Sequence, residues 1–297
     1  MARTQAKKTI LLLGKNGQVG WELQRALAPF GQLIALDRAG QNGCCGDIGN
    51  LNGLRETIER IKPDVLVNAA GYTAVDQAQR EPELAARLNH QAPALMAELM
   101  KTHDGCLVHY STDYVFDGTA TTPYEPDDAP APQSVYGRTK LAGERAVLAE
   151  LPTANVVRTA WVYTGTGTDF VATMRRLERE RDVITVVDDQ IGSPTYSRDL
   201  AAGLLEVAAS PVTGSILHST NAGTASWFDL ARAVLAGVGA DPERVRPCSS
   251  AEYVRPAPRP SYSVLSGAAW ERAGLTPFRG WRDALGDALQ SARPATT

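Results

Sequence analysis

Apolar residues in the first half of the chain gather in short unbroken runs, at 9–13, 33–36, 64–67 and 106–110, which stop at Gly14, Asp37, Asn68 and Ser111 respectively. Runs of this length without polar alternation predict strands buried on both faces. The segments between them, 19–28, 51–61 and 82–103, carry apolar positions at helical spacing. Parallel strands need crossovers and helices of this size supply them, so the pattern predicts an α/β fold built on a doubly wound parallel sheet. A run at 156–157 continues the series. Beyond it the pattern loosens into a helix at about 169–181, an extended stretch at 183–187, and helices at 197–209 and 227–237. The segment 255–260 holds three prolines and cannot be regular structure. We expect one main domain over residues 1–162, with later strands returning to its sheet from about 183–220. Residues 163–297 would form mainly a smaller lobe interleaved with them, and 1–8 and 292–297 would be frayed tails.

Composition narrows the class. At 297 residues, 43% of them hydrophobic, the chain can bury a full core. A net charge of −3 with scattered basic residues excludes the electrostatic footprint of a nucleic-acid binder. No apolar run is long enough for a signal peptide core or a membrane span, so a soluble cytoplasmic protein is expected. Cys44, Cys45, Cys106 and Cys248 form no C-x-x-C pair, and the adjacent two are poorly placed for an ordinary disulfide; they read as thiols of a reducing compartment.

Gly14-x-x-Gly17-x-x-Gly20 follows the first strand and opens the first helix. A glycine turn there lets backbone approach a pyrophosphate and aims a helix N-terminus at its charge, the device of the dinucleotide-binding Rossmann sheet. Asp37, at the end of the second strand, is placed to accept from an adenosine ribose, while Arg38 beside it would suit a 2′-phosphate; NADH and NADPH both stay open. Asp47 and Ile48 either bracket the adenine or, in the case of Asp47, cap the next helix. Asn68, Ala69, Ala70 and Gly71 end the third strand in small residues suited to lie beneath a nicotinamide ribose, with Asn68 tying strands together by its side chain.

Tyr136 and Lys140 carry the candidate chemistry. Residues four apart share a helix face, so the ammonium can sit near the phenol, lower its pKa from about 10 toward the working range and hold a ribose hydroxyl. Pro132, Ser134 and Gly137 mark the helix start, which places Tyr136 in its first turn. At the carboxyl edge of the fourth strand a hydroxyl can polarise a substrate carbonyl. Thr112 is chosen over Ser111, and Asp113 either binds a sugar hydroxyl or caps the loop.

Taken together, Gly14-Lys15-Asn16-Gly17-Gln18-Val19-Gly20-Trp21-Glu22-Leu23, the string at 68–76, Ser111-Thr112-Asp113-Tyr114-Val115-Phe116-Asp117-Gly118 and the string at 135–144 closely resemble the dTDP-4-dehydrorhamnose reductases, extended short-chain dehydrogenases. The likeness continues through 158–163, 189–195, 226–228 and 259–260. The resemblance implies reduction of the 4-keto group of dTDP-4-dehydro-β-L-rhamnose by NADH or NADPH. Tyr136 would protonate the developing alkoxide, Lys140 would hold the nicotinamide ribose, and Thr112 would bind the reacting oxygen. Asp113 and Trp161 would line the sugar pocket. Gly17, Gln18, Val19, Asp37, Asp47, Ile48, Gly71, Tyr72 and Thr73 match cofactor contacts, and Arg259 is assigned to the substrate diphosphate. Some members dimerise through Mg²⁺ held by glutamates. Glu22 matches one such position, but Arg198 stands where a second would fall, and arginine cannot ligate Mg²⁺. A monomer or weak homodimer without that metal bridge is therefore expected, with no nucleic-acid or membrane partner.

Overall fold

The structure, a computed structural model, describes residues 7–291, so the expected tails at 1–6 and 292–297 lie outside the described residues. Lys8, assigned to a tail, already belongs to the first strand. Six parallel strands form the main sheet: β1 (Lys8–Leu13), β2 (Gly31–Leu36), β3 (Val65–Asn68), β4 (Cys106–Thr112), β5 (Asn155–Thr159) and β6 (Ile216–His218). Their spatial order is 2-1-3-4-5-6. The order in which successive strands are laid down reverses between β1 and β3, and the switch opens a crevice at the carboxyl ends of the strands, where such sheets bind ligands.

The longer helices are α1 (Gln18–Leu27), α2 (Leu51–Ile61), α3 (82–101), α4 (Val135–Glu150), α5 (Phe170–Glu180), α6 (Ser197–Ala209), α7 (Trp227–Gly237) and α8 (Trp281–Ser291). Strand alternation divides β1 between two cores. Leu11 and Leu13 pack with α2, α3 and α4 through Leu54, Ile58, Met96, Met100 and Val147. Ile10 and Leu12 pack on the opposite face with Leu23 and Leu27 of α1 and Leu200 and Leu204 of α6. Helix α3 was expected to be continuous; instead Arg87–Gln91 forms a π-helical turn between α-helical segments.

Of the segment expected to return to the sheet from about 183–220, only β6 does so. The extended stretch Ile184–Val187 pairs instead with Val245–Cys248, because a hydrophobic run identifies a strand but not its partner. Two further pairs, Val162–Tyr163 with Thr195–Tyr196 and Ile191–Gly192 with Ala225–Ser226, brace a third core of α5, α7 and α8. The 255–260 stretch is irregular, as its prolines require. Among the described residues no helix is long and apolar enough to cross a membrane, and no cluster of His, Cys, Asp or Glu could hold a metal ion. All four cysteines are free thiols.

Candidate active site

The glycine turn is shaped for close approach of backbone. Gly14 has φ +88°, and a Cβ on Gly20 would collide with the Gly14 carbonyl. Gly17 stands at the N-cap of α1 with no capping side chain, which leaves the first N–H groups of the helix directed into the crevice. A cleft of about 1000 Å³ begins there and runs across the ends of β3, β4 and β5. Of the expected cofactor residues, Gly17, Gln18, Val19, Ala70, Gly71 and Thr73 line it.

Asn68 ties strands as anticipated. Its Nδ2 meets His109 Nδ1 on β4 at 3.0 Å, and its Oδ1 accepts from Ala70 N at 3.1 Å, which fixes the turn carrying Ala70 and Gly71. The π turn in α3 delivers buried Asn89, whose Oδ1 accepts from Tyr72 N at 2.8 Å and whose Nδ2 donates to the Tyr72 carbonyl and Thr139. Helix α4 starts where the sequence indicated: Ser134 caps it by accepting from Gly137 N at 3.0 Å, leaving Tyr136 in the first turn.

Tyr136, Lys140, Thr112 and Asp113 meet in the same cleft. The Lys140 ammonium donates to the Tyr110 carbonyl at 2.5 Å. Burial pulls Lys140 down to about 8, against the opposing effect of Glu144. Burial also pushes the Tyr136 phenol up to about 12, with the neighbouring Thr112 hydroxyl pulling the other way and the Asp113 charge adding to the rise. The expected depression of the phenol by Lys140 is therefore not found: loss of hydration dominates, and the ammonium is turned to a backbone carbonyl. The Thr112 hydroxyl donates to Asp113 Oδ1 at 2.9 Å. Asp113 is lifted by burial to about 6, despite hydrogen bonds from Ser263 and Thr112. Ser111 also lines the cleft, but its strand position turns it to the face opposite Thr112.

Trp161 stands at the far wall with φ +46°, a conformation rare outside glycine. Its indole stacks on Trp227 with centroids 3.6 Å apart and planes within 6°, and Gly192 supplies the space behind it, since a Cβ there would enter the ring.

Other sequence assignments fall outside the cleft lining. Tyr72 turns its hydroxyl to Glu81 at 2.6 Å, so it can offer the cleft only backbone. Ile48 is buried in the core against α2 and α3. Asp47 accepts from Gly49 N, and the cap of α2 is Asn50 rather than Asp47. Asp37 lies at the rim, where Asn16, itself a lining residue, donates to it. Arg259 pairs with Asp76 at 2.9 Å and donates to the Ala257 carbonyl, instead of projecting into the open cleft. Sequence reasoning missed Trp227, Tyr196, Asn89 and the 164–169 loop as lining residues. Only the π turn had a local cause; the others arrive from the lobe through tertiary packing.

A dinucleotide crevice at a sheet switch point, faced by a Tyr-x-x-x-Lys helix and closed by a lobe that returns a strand to the sheet, defines an NAD(P)-dependent oxidoreductase of the extended short-chain type. The family model described as "RmlD substrate binding domain" matches residues 8–293. The chain belongs to the dTDP-4-dehydrorhamnose reductase family. It is 50% identical over 290 residues to dTDP-4-dehydrorhamnose reductase of Mycolicibacterium smegmatis, covering 97% of this chain and 87% of that one. It is 47% identical over 280 residues, 94% of each chain, to a probable dTDP-4,6-dihydroxy-2-methyloxan-3-one 4-ketoreductase of Streptomyces antibioticus. Among solved structures, the Bacillus anthracis dTDP-4-dehydrorhamnose reductase in complex with NADP superposes with a TM-score of 0.91 at 32% identity, covering 96% of this chain and 100% of that one.

Proposed function

We propose that this protein reduces the 4-keto group of dTDP-4-dehydro-β-L-rhamnose to give dTDP-β-L-rhamnose, using NADH or NADPH. The observation that carries the reading is the convergence of Thr112, Tyr136 and Lys140 on one cleft beside the uncapped N-terminus of α1. The crevice fits a dinucleotide on its own chemistry. The glycine turn has no room for a Cβ at Gly20, and the free N–H groups of α1 suit a pyrophosphate. Gly17, Gln18 and Val19 would hold that pyrophosphate, Asp37 the adenosine ribose, and Ala70, Gly71 and Thr73 the nicotinamide end. When bound, the reduced nicotinamide supplies the hydride that reaches C4 of the sugar.

The protein's own task is to bind the keto oxygen and protonate it. At neutral pH a phenol raised to about 12 is fully protonated, the form a reductase needs. An alkoxide is a stronger base than a phenolate, so Tyr136 transfers its proton downhill as charge develops on the oxygen. Thr112 turns its one hydroxyl proton from Asp113 Oδ1 to the same oxygen, and that bond strengthens as the charge grows. The Lys140 ammonium, held on the Tyr110 carbonyl, binds the nicotinamide ribose. Asp113 accepts from a sugar hydroxyl, Trp161 stacked on Trp227 forms the apolar wall of the sugar pocket, and Arg259 serves the diphosphate only by exchanging its Asp76 partner for it.

The test is steady-state turnover of purified protein with the keto-sugar generated in situ. Stoichiometric oxidation of NADH or NADPH with formation of dTDP-L-rhamnose supports the reading. Turnover without net cofactor consumption would indicate an epimerase, and no reaction with a bound cofactor a non-catalytic relative. The Streptomyces antibioticus relative motivates a second arm with other dTDP-4-keto-6-deoxysugars; exclusive turnover of one of them would move the substrate assignment.

A further inference from the structure

The rim where Asp37 sits is assembled from two segments. The backbone N–H groups of Gly14 and Lys15 both donate to the Leu36 carbonyl, at 3.0 and 3.1 Å, and this pins the glycine turn to the end of β2. The side chains of Lys15 and Asn16 are thereby brought over Asp37. The Lys15 ammonium lies 3.5 Å from Asp37 Oδ2, and Asn16 Nδ2 donates to the same oxygen at 2.8 Å. Oδ1 accepts from Ala39 N at 3.1 Å. Both charged side chains remain accessible, at 21% and 24% exposure, and the exposed Arg38 follows directly.

A lone carboxylate at the end of a second strand selects against a 2′-phosphate by like-charge repulsion and accepts the ribose hydroxyls of the unphosphorylated cofactor. Asp37 is not lone. Its charge is balanced by Lys15, and with Arg38 the trio carries a net charge of +1. An arriving 2′-phosphate exchanges one partner of a flexible ammonium for another, because the lysine stem lets the charge follow the anion. An arriving ribose hydroxyl leaves the pair in place. We infer that Lys15 sets the cofactor selectivity of this protein: by supplying the counter-charge to Asp37 from the glycine turn, it lets the ribose subsite take 2′-phosphorylated and unphosphorylated nicotinamide dinucleotides alike. The inference rests on the reading of the crevice as a dinucleotide site.

Titration of the full-length protein with NADH and with NADPH, without sugar substrate, gives the ratio of the two Kd values. The wild type is expected to bind both, with a ratio within about tenfold. Lys15→Ala leaves Asp37 uncompensated and shifts the ratio toward NADH by about tenfold, the effect of one unit charge at a partly exposed site. Lys15→Arg restores the wild-type ratio, and added salt shrinks the difference between wild type and Lys15→Ala. An unchanged ratio in Lys15→Ala, or a shift toward NADPH, overturns the inference while leaving the dinucleotide site intact. Failure of the wild type to bind either dinucleotide overturns the reading of the crevice itself.

Discussion

Lys140 illustrates how a single buried charge serves function at the expense of stability. Its value falls to about 8 on folding because the ammonium loses hydration. A depressed lysine stabilises the fold only above its ordinary value of 10.5, and that contribution is lost as pH falls through about 8. At pH 7 the wild type therefore carries a penalty of up to about 3 kcal/mol. Lys140→Met should raise Tm at pH 7 while abolishing turnover, and the Tm gap should close between pH 8 and pH 11; equal Tm values at pH 7 would contradict the account. The same residue gives kcat/KM an alkaline limb near pH 8, since Tyr136, at about 12, stays protonated throughout that range. Asp113, lifted to about 6, predicts an acid limb that Asp113→Asn should remove. Tyr136 and Lys140 were legible in the sequence because helix periodicity and a capping serine fix their common face. The direction of the phenol shift was not, because burial is a property of the assembled cleft.

The elements that aim these side chains are held by one internal ion pair. Arg158 on β5 pairs in bidentate fashion with Glu144 on α4 at 2.8 and 2.9 Å, with the two side chains 1% and 2% exposed. Arg158 also donates to the Pro126 carbonyl and lies over the Phe116 ring. Glu144 is one turn beyond Lys140, so the pair anchors the catalytic helix to the sheet at the point where the cleft opens. Arg158→Leu alone should destabilise the protein by about 3–5 kcal/mol, because it strands a buried carboxylate. Combining it with Glu144→Leu should recover most of that loss in a denaturant melt; additive losses would show that the pair is not an isolated unit. Strands β1 to β5 and the starts of α1 and α4 were readable from unbroken apolar runs and their polar stops. The pairing of Ile184–Val187 with Val245–Cys248 and the stacking of Trp227 on Trp161 were not. Both join segments far apart in the chain, and local pattern carries no information about such partners.

At the scale of the molecule, the lobe reaches back to the sheet domain through Asp76. That carboxylate receives Arg259 at 2.9 Å, Arg255 at 3.9 Å and Ala257 N at 3.1 Å. Burial alone would raise it, but Arg259 and these partners hold it below the usual carboxylate range. If Arg259 serves the substrate diphosphate, Arg259→Ala should raise the KM for the nucleotide sugar by about tenfold, with the cofactor KM unchanged. An unchanged sugar KM would remove it from the site. Glu22 lines the cleft and Arg198 is exposed on α6. With an arginine in place of a second glutamate, chelation of Mg²⁺ should leave the sedimentation behaviour unchanged, and a stoichiometric Mg²⁺ at a Glu22-centred interface would contradict that. The most direct test of the central claim is single-turnover oxidation of bound reduced cofactor by the keto-sugar in wild type and Tyr136→Phe, with cofactor affinity measured in parallel. The account predicts equal cofactor affinity and a rate lower by about 10²–10⁴ in the variant. Undiminished turnover would mean that the proton comes from another group.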